Sequence, residues 1–250
     1  MFKATLNDPE VFKNSMGVIS NIIDEGLFKV DSNGLSLLSP DRNVIVVVDF
    51  KLLSTAFDEF EVEGEVNLGL NMANLMGILK RVKPTDKVTL KSTANKLEIV
   101  VEGGNGKRKF DLPLLELKVE KPPIDQLKFT GKADLESHIL EEGVEDAGVV
   151  SDSVVLEVSP ELFKLAAKGD VSSAELELKK GHDGLLNLES KSLVKARYPV
   201  DYLRKIAKAC KLSKQVSLEF GNNYPIRLSF KEMDKMNLNF ILAPRVSDED

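Results

Sequence analysis

The sequence predicts an α+β fold made of two similar domains, each built from antiparallel β-sheets with a few helices. Many short segments alternate between apolar and polar residues, as half-buried strands do, and residues 87–91 and 175–179 are examples. Four longer segments place their apolar residues on one helical face. The order of these segments in the first half of the chain is found again in the second half, which indicates an internal repeat.

Four amphipathic helices are predicted, at residues 9–23, 72–82, 135–146 and 200–210. Asp8 is the expected N-cap of the first helix, with Pro9 at the first helical position. Pro84 is expected to end the second helix, because proline cannot continue a helical hydrogen-bond ladder. Among the strands, the β-branched run at residues 44–48 is typical of a buried one.

The internal repeat is clearest around the second and fourth helices. Residues 71–90 align with residues 199–218 without a gap, at a shift of 128 positions. Common patterning of helix and strand units could also produce such a match. We favour duplication, because the order of the elements repeats as well.

A Pro-Pro pair at residues 122–123 indicates an extended linker between the two halves. The chain has 250 residues, a length that fits two domains of ordinary size. We therefore expect an N-terminal domain over residues 1–116, a connecting loop over residues 117–128 and a C-terminal domain over residues 129–250.

The composition limits the possible classes of function. The formal net charge is −6, from 34 basic and 40 acidic residues, whereas nucleic-acid-binding domains are usually basic. A DNA-binding surface would therefore need its basic residues segregated on one face. The single cysteine, Cys210, excludes an intrachain disulfide and favours a reducing compartment. With only His138 and His182 beside it, no metal site is expected. No secretory signal and no membrane-spanning segment is predicted, so we expect a cytoplasmic protein.

No catalytic motif is recognised in the sequence. Residues 103–107 resemble a phosphate-binding loop, but Val101 stands at the first glycine of that motif and Arg108 stands where Ser or Thr must hold magnesium. A hairpin turn is the better interpretation, and we assign no catalytic residue and no cofactor. Two other classes stay open. One is an interaction protein without a DNA role, which the acidic pI of about 5.2 favours, and the other is a hydrolase or nuclease with an unrecognised site.

Several segments along the chain carry a resemblance to one family. They are residues 1–4, residues 22–25 leading to 34–37, residues 69–72 followed by 78–81, residues 146–147 followed by 149–152, and the end at 240–245 with the acidic tail 248–250. On these segments the chain resembles the sliding clamps of archaea and eukaryotes, the proliferating cell nuclear antigen family, and most of all its archaeal type. The resemblance covers essentially the whole chain.

The resemblance implies a DNA clamp fold in which three identical subunits close head-to-tail into a ring, with inner helices lining the hole and sheets outside. It implies a protein that is not an enzyme. The expected role is that of a processivity factor in DNA replication and repair, which encircles duplex DNA and tethers DNA polymerase, clamp loader, flap nuclease and ligase. These partners would bind through a short hydrophobic docking motif, and the expected location is the cytoplasm, at the nucleoid.

A ring that slides on DNA needs phosphate contacts that do not depend on sequence. The residues expected to face DNA are Lys13, Lys80, Arg81, Lys83, Arg204, Lys205, Lys208 and Lys211. On a single helix, such a basic face would be interpreted as ordinary solvated surface; two repeat-equivalent helices in an acidic protein favour DNA contact. The third helix departs from the pattern, since Asp134, Glu141 and Glu145 are expected on its face away from Ile139, with His138 beside them.

The resemblance also implies a partner-docking pocket beside the linker. Its residues would be Pro40, Val44, Ile45, Val47, Pro123, Ile124, Leu127, Pro225, Ile241, Ala243 and Pro244. An exposed apolar patch of this kind normally marks a partner site. Plain strand core is the alternative for Val44, Ile45, Val47 and Ile241. Pro40 replaces a residue that is usually larger in relatives.

Ring closure in the family pairs edge strands of neighbouring subunits, which here would be about residues 108–115 and 172–179. The interface residues would be Arg108, Phe110, Leu112, Leu114, Glu175, Leu176, Glu177 and Leu178. As a further hypothesis, the basic run Lys107, Arg108 and Lys109 would meet Glu175 and Glu177 across the boundary.

Overall fold

The computed structural model describes residues 1–118 and 120–245, and in it the chain folds into two units. The first unit consists of residues 1–122 with residues 232–238. The second unit consists of residues 123–231 with the described residues from 239 onward. No helix among the described residues is long and apolar enough to cross a membrane.

Antiparallel strands dominate the first unit, with two helices between them. In chain order its elements are β1 Phe2–Leu6, α1 Glu10–Ile19, β2 Glu25–Asp31, β3 Gly34–Pro40, β4 Val46–Leu53, β5 Glu59–Val62, β6 Val66–Asn71, α2 Met72–Leu79, β7 Lys87–Ser92, β8 Lys96–Gly103 and β9 Gly106–Pro113. One sheet has the order β5-β1-β7-β8-β9. The other has the order β4-β3-β2-β6.

The second unit is built from the same kinds of elements. They are β10 Gly131–Glu136, α3 Ser137–Val150, β11 Ser153–Val158, β12 Leu162–Lys168, β13 Ser173–Lys179, β14 Leu185–Ser190, β15 Val194–Pro199, α4 Val200–Ala207, β16 Gln215–Phe220, β17 Ile226–Glu232 and β18 Met236–Leu242. One sheet has the order β14-β10-β16-β17-β18 and the other the order β13-β12-β11-β15.

The two units have the same topology. Each strand of the second unit takes the place in its sheet that the strand numbered nine lower takes in the first. The helices also recur at the same places in the order of elements, since α1 and α3 follow the first strand of each half and α2 and α4 follow the sixth. The predicted fold class of two similar antiparallel domains with a few helices is therefore confirmed, and a shared topology supports duplication over common patterning.

The predicted periodicities correspond to the buried faces. In α1, the stripe of Phe12, Met16 and Ile19 is buried, and in α4 Leu203 and Ile206 are buried. Each fully buried side chain of this size contributes about 1.5–3 kcal/mol relative to an exposed one. The helices are therefore fixed by packing of their apolar stripes on the sheets, while their other faces stay available.

The ends of three helices differ from the predicted ends. The first helix stops at Ile19, because the next amides, such as that of Ile22, make tighter bonds three residues back. The second ends at Leu79, before the predicted Val82. The fourth becomes a 3-10 turn over Lys208–Lys211. The first helix begins at Glu10, with Pro9 at the N-cap position and no side-chain cap, so the predictions of Asp8 as N-cap and Pro9 as first helical residue were each one position too early. Asp8 accepts a hydrogen bond from the amide of Glu10.

The third helix starts later than predicted, at Ser137, and runs on to Val150. Residues 131–136 pair as strand β10 with β14 and β16, and this pairing outweighs the helical pattern. Asp134 therefore lies on a strand, where its carboxylate bonds to Lys132 and Asn187, and it is not part of the helix face on which we had placed it.

The predicted buried strand at residues 44–48 begins only at Val46. Val44 lies in a turn with φ of 56°, and its side chain is 72% exposed. Hydrophobic β-branched residues rarely adopt a positive φ, so the sequence pattern was misleading at this residue.

Candidate nucleic-acid and partner interfaces

In the first unit, the predicted DNA-facing residues collect in the turn that follows α2, residues 80–86, which we call the basic turn. Its cations Lys80, Arg81 and Lys83 are all exposed. Asn71 caps the other end of the helix by accepting a hydrogen bond from the amide of Asn74. The turn therefore presents three positive charges at the C-terminal end of a short, well-capped helix, where cations are electrostatically favoured.

A buried carboxylate organises the basic turn. Asp86, whose side chain is only 3% exposed, accepts hydrogen bonds from the amide of Lys83 at 3.1 Å and from Nη2 of Arg108 at 2.9 Å. The same guanidinium donates through Nη1 to the carbonyl oxygen of Arg81 at 3.2 Å. A Cβ atom at Gly103 would overlap the carboxylate of Asp86, so glycine is required at that position.

Lys13 is also bound to this part of the chain. Its Nζ donates to the carbonyl oxygen of Val82 at 2.6 Å, and its side chain is half-buried. Lys13 and Arg108 thus donate to the carbonyl groups of Val82 and Arg81, which lie in the basic turn after α2. We predicted Lys13 as a phosphate contact; in the structure, its ammonium group is bonded to the basic turn.

In the second unit, the exposed cations lie on α4 and the 3-10 turn after it. Lys205, Lys208 and Lys211 are exposed, and Nζ of Lys205 lies 5.1 Å from the ring centre of Tyr202. Lys80 and Lys208 are aligned in the repeat, so the two units present cations at equivalent places. A cation at such a helix end has the same favourable interaction with the helix dipole in both units.

Arg204 contacts α3 within its own unit. Its Nη2 lies 3.2 Å from the carboxylate of Glu145 and donates to the carbonyl oxygen of the same residue. The guanidinium packs against Gly148, where a Cβ atom would overlap it. Arg204 therefore links α4 to α3, and its charge is paired with Glu145.

The third helix is acidic on its exposed side, as the sequence indicates. Glu142, Glu145 and Asp146 are exposed, and residues 137–150 contain no Lys or Arg. Glu141 lies close enough to the half-buried Cys210 for its charge to affect the pKa of the thiol. Burial, with a smaller contribution from the charge of Glu141, raises the pKa of Cys210 to about 12. This thiol stays protonated and unreactive at neutral pH.

The predicted subunit-contact strands are edge strands of their sheets, β9 in the first unit and β13 in the second. Three of their outward-facing charges already have partners within their own units: Lys107 with Glu102, Lys109 with Glu98, and Glu175 with Lys164. The hydrogen bond between Lys109 and Glu98 raises the pKa of Lys109 and lowers the pKa of Glu98. Charge pairing between copies through these three residues would have to share these partners, whereas the predicted contact residue Glu177 is exposed.

The apolar residues predicted for the subunit contact lie on the opposite face of the same strands. Leu112 and Leu178 are buried in the core of their units. Phe110, Leu114 and Leu176 are partly exposed. Leu176 packs beside Gly143 of α3, which has no room for a Cβ atom there.

The docking residues of the first unit surround the turn at residues 41–46. The buried carboxylate of Asp41 accepts hydrogen bonds from the amides of Ile45 at 2.7 Å and Val46 at 2.9 Å. Its own amide donates to the carbonyl oxygen of Val46. This closed turn holds Val44 in its positive-φ conformation with an exposed side chain. Ile45, Val47 and Pro40 are partly exposed, and the last two face each other across β3 and β4.

The docking residues of the second unit differ in exposure. Pro123 is exposed, and Ile124 and Leu127 are partly exposed around the 3-10 turn Ile124–Gln126. Pro225, Ala243 and Pro244 are partly exposed too. Ile241 is buried in β18, so its side chain belongs to the strand core, as the alternative interpretation for this residue states.

Sequence reasoning missed two buried carboxylates, Asp41 and Asp86. Aspartate commonly accepts backbone amides in turns, and Asp41 precedes the predicted strand at residues 44–48 while Asp86 follows the predicted helix stop at Pro84, so a signal existed. What the sequence could not give is the long-range partner of Asp86, because Arg108 is 22 residues away along the chain.

Comparisons with known proteins agree along the whole chain. The family model of the proliferating cell nuclear antigen N-terminal domain matches residues 1–121, and that of the C-terminal domain matches residues 124–245. The DNA polymerase sliding clamps of Thermococcus fumicolans and Pyrococcus furiosus are 34% and 32% identical to the chain over 248 residues, which is 99% of each protein. A crystal structure of the proliferating cell nuclear antigen from Thermococcus kodakaraensis superposes with a TM-score of 0.91 at 28% identity, over 98% of this chain and 100% of that one.

Proposed function

This chain belongs to the proliferating cell nuclear antigen family, and we propose that it works as a DNA polymerase sliding clamp. A clamp has no enzymatic activity of its own; it holds a polymerase on duplex DNA and so gives processive synthesis. The relatives that carry this name match 99% of the chain. We propose that it acts in the cytoplasm, on the DNA of the nucleoid.

The observation that carries the DNA role is the segregation of charge. The protein has a net charge of −6, yet exposed cations gather at repeat-equivalent helix ends, Lys80 to Lys83 in one unit and Lys205 to Lys211 in the other. Lysine and arginine contact phosphates without reading bases. A surface of this kind attracts duplex DNA of any sequence and leaves the protein free to move along it.

The proposed assembly is a homotrimeric ring. Strands β9 and β13 lie at sheet edges, and an edge strand offers unpaired amide and carbonyl groups to another chain. When the two edges belong to different surfaces of one subunit, pairing them is head-to-tail, and the ring closes if the rotation allows it. Partly exposed Phe110, Leu114 and Leu176 would add apolar contacts at this boundary.

The proposed docking site for polymerase, clamp loader, flap nuclease and ligase is apolar and uses the residues named above for each unit. Its best-supported element is the exposed Val44, which the turn around Asp41 holds in place. A short motif with hydrophobic anchors would bury this side chain on docking.

Retention on circular DNA tests the proposed function. The protein is concentrated in the presence of a nicked circular duplex, so that rings assemble around it, and protein that stays with the DNA is separated by gel filtration. A clamp should remain on the circle and leave after one restriction cut that makes linear ends. Protein that never stays with the circle would contradict the proposal, and metal-dependent cleavage of the circle by pure protein would point to a nuclease.

A charge-reversed variant identifies the DNA surface. Lys80, Lys208 and Lys211 replaced together by Glu should lower retention by about tenfold or more at moderate salt, because phosphate contacts are lost. The matched control replaces the exposed Lys51, Lys180 and Lys191 by Glu, which changes the net charge equally at other places. Equal retention of the two variants would refute the assignment of the cationic helix ends to DNA.

A further inference from the structure

We propose that Arg108 is a positioning residue that fixes the basic turn in the conformation that contacts phosphate. The inference rests on the proposed function, which directs Lys80, Arg81 and Lys83 toward DNA. Sequence reasoning placed Arg108 in the subunit contact, opposite acidic residues of another copy. Its contacts inside its own unit point to a different task.

The guanidinium of Arg108 joins two places in the basic turn. One nitrogen donates to the carboxylate of Asp86 at 2.9 Å, and another donates to the carbonyl oxygen of Arg81 at 3.2 Å. Asp86 in turn accepts the amide of Lys83 at 3.1 Å. Arg108 is therefore bonded, directly or through Asp86, to two of the three residues whose side chains carry the positive charge.

The pair between Arg108 and Asp86 is well shielded from water. The side chains are 24% and 3% exposed, and Nε of Arg108 is buried without a hydrogen-bond partner. A buried carboxylate that loses its cation is strongly disfavoured, so the turn cannot keep its present geometry without Arg108. Lys107, the preceding residue, instead pairs with the carboxylate of Glu102 at 3.0 Å.

The second unit has no such device at the aligned position. Asp86 aligns with Lys214, and the turn there is closed by the hydroxyl of Ser213, which donates to the carbonyl oxygen of Gln215. The longer 3-10 turn Lys208–Lys211 presents the cations in that unit. Anchoring by an arginine from an edge strand is thus particular to the first unit.

Fixing the basic turn favours DNA contact through entropy. A turn that is already ordered does not have to be ordered when phosphate binds, so more of the electrostatic attraction appears as affinity. Loss of Arg108 would therefore weaken DNA retention through the turn, beyond the effect of removing one charge. The two effects can be separated by experiment.

The test compares Arg108→Gln with the control Lys51→Gln, which removes the same charge from an exposed position outside the predicted DNA and subunit surfaces. Hydrogen exchange is measured at the amide of Lys83 in the absence of DNA. We expect its protection to fall by about tenfold in Arg108→Gln and to stay unchanged in Lys51→Gln, because only Arg108→Gln releases the carboxylate that binds this amide. The half-life on circular DNA should fall by about threefold or more in Arg108→Gln alone.

Two further variants keep the test decisive if Arg108→Gln unfolds. Asp86→Asn with Arg108→Gln replaces both charges by amides and leaves no unpaired buried charge; it should fold, and it should still show fast exchange at Lys83. Arg108→Lys keeps the charge but cannot bridge both acceptors, so it should restore DNA retention only in part.

Unchanged exchange at Lys83 in Arg108→Gln, or in the double variant if the single one unfolds, would overturn the inference. Faster exchange with DNA retention equal to that of Lys51→Gln would overturn it as well, because the turn would then have lost its order without consequence for DNA. Failure of the unaltered protein to stay on the circle would instead contradict the proposed function, while the exchange result would still report on the anchoring of the turn.

Discussion

Some single residues in this protein have structural roles that cannot be predicted from their chemical type alone. Val44 is an example, because an apolar β-branched side chain at a φ of 56° costs about 1–3 kcal/mol and persists only where neighbours enforce it. Asp41 enforces it by binding two amides of the turn. Observed strain at an exposed apolar residue is the kind of feature that occurs at binding sites.

The first prediction at this scale is that Val44→Gly weakens docking without weakening the fold. Glycine adopts a positive φ freely, and the lost side chain was mostly exposed, so the free energy of unfolding should stay equal or rise by up to about 1 kcal/mol. Binding of a fluorescent peptide that carries the hydrophobic docking motif of a relative's polymerase should fall several-fold. Anisotropy titrations and thermal melts measure the two effects.

Val171→Gly is the control, since that valine is 99% exposed and lies outside the predicted docking residues. It should leave peptide binding unchanged and lower stability slightly, because glycine adds only unfolded-state entropy there. Peptide affinity that is the same in unaltered protein and Val44→Gly would remove this valine from the docking site.

At the scale of elements, the second unit uses a link between α3 and α4 that the sequence pattern did not suggest. Arg204 is bound to the carboxylate and carbonyl of Glu145, and its guanidinium occupies the space above Gly148. The link therefore depends on glycine at position 148, because a side chain there would occupy the space of the guanidinium. In α2 of the first unit, Gly77 has open space around it.

These two glycines give a matched prediction. Gly77→Ala should raise the free energy of unfolding by about 0.5–1 kcal/mol, because alanine favours a helix and meets no obstacle. Gly148→Ala should give no gain or a small loss, because its Cβ displaces Arg204 from Glu145 and this offsets the helical preference. Denaturant unfolding at one fixed protein concentration measures both, since assembly would shift apparent stability. Equal gains would mean that the link contributes nothing.

At the scale of the whole molecule, the proposed ring, which pairs edge strands of neighbouring copies, predicts the molecular mass in solution. We expect a mass near three times 27.6 kDa at high protein concentration, falling toward one subunit on dilution. Sedimentation velocity across a dilution series measures it. A monomer that persists at all concentrations would contradict the homotrimer.

The contribution of charge to assembly can be measured in the same way. Lys109→Glu removes the partner of Glu98 and should weaken assembly if Lys109 also faces an acidic residue of the next copy. Adding Glu177→Lys should then restore assembly, because the pair is reversed. If the double variant does not assemble although circular dichroism shows that both variants are folded, strand pairing and apolar contacts would remain as the cause of assembly.

The sequence by itself determined the fold class, the repeat and the helix faces. These depend on local periodicity, and a stripe such as Phe12, Met16 and Ile19 has only one stable place, which is against a sheet. The family was predicted from a resemblance, which short segments spread along the chain carry. The exposed cations at Lys80 and Lys208 follow from being off the stripe.

Only the tertiary structure decided where the third helix begins, how Val44 is held and what Arg108 and Arg204 bind. Pairing of strand β10 with β14 and β16 outweighs the helical pattern at residues 135–136, where the predicted helix began, because it satisfies backbone groups that no local pattern counts. An arginine side chain is long enough to reach acceptors that are dozens of residues away along the chain. Such partners are determined by which residues lie close together in the folded chain, and a pattern in the linear sequence carries no information about that proximity.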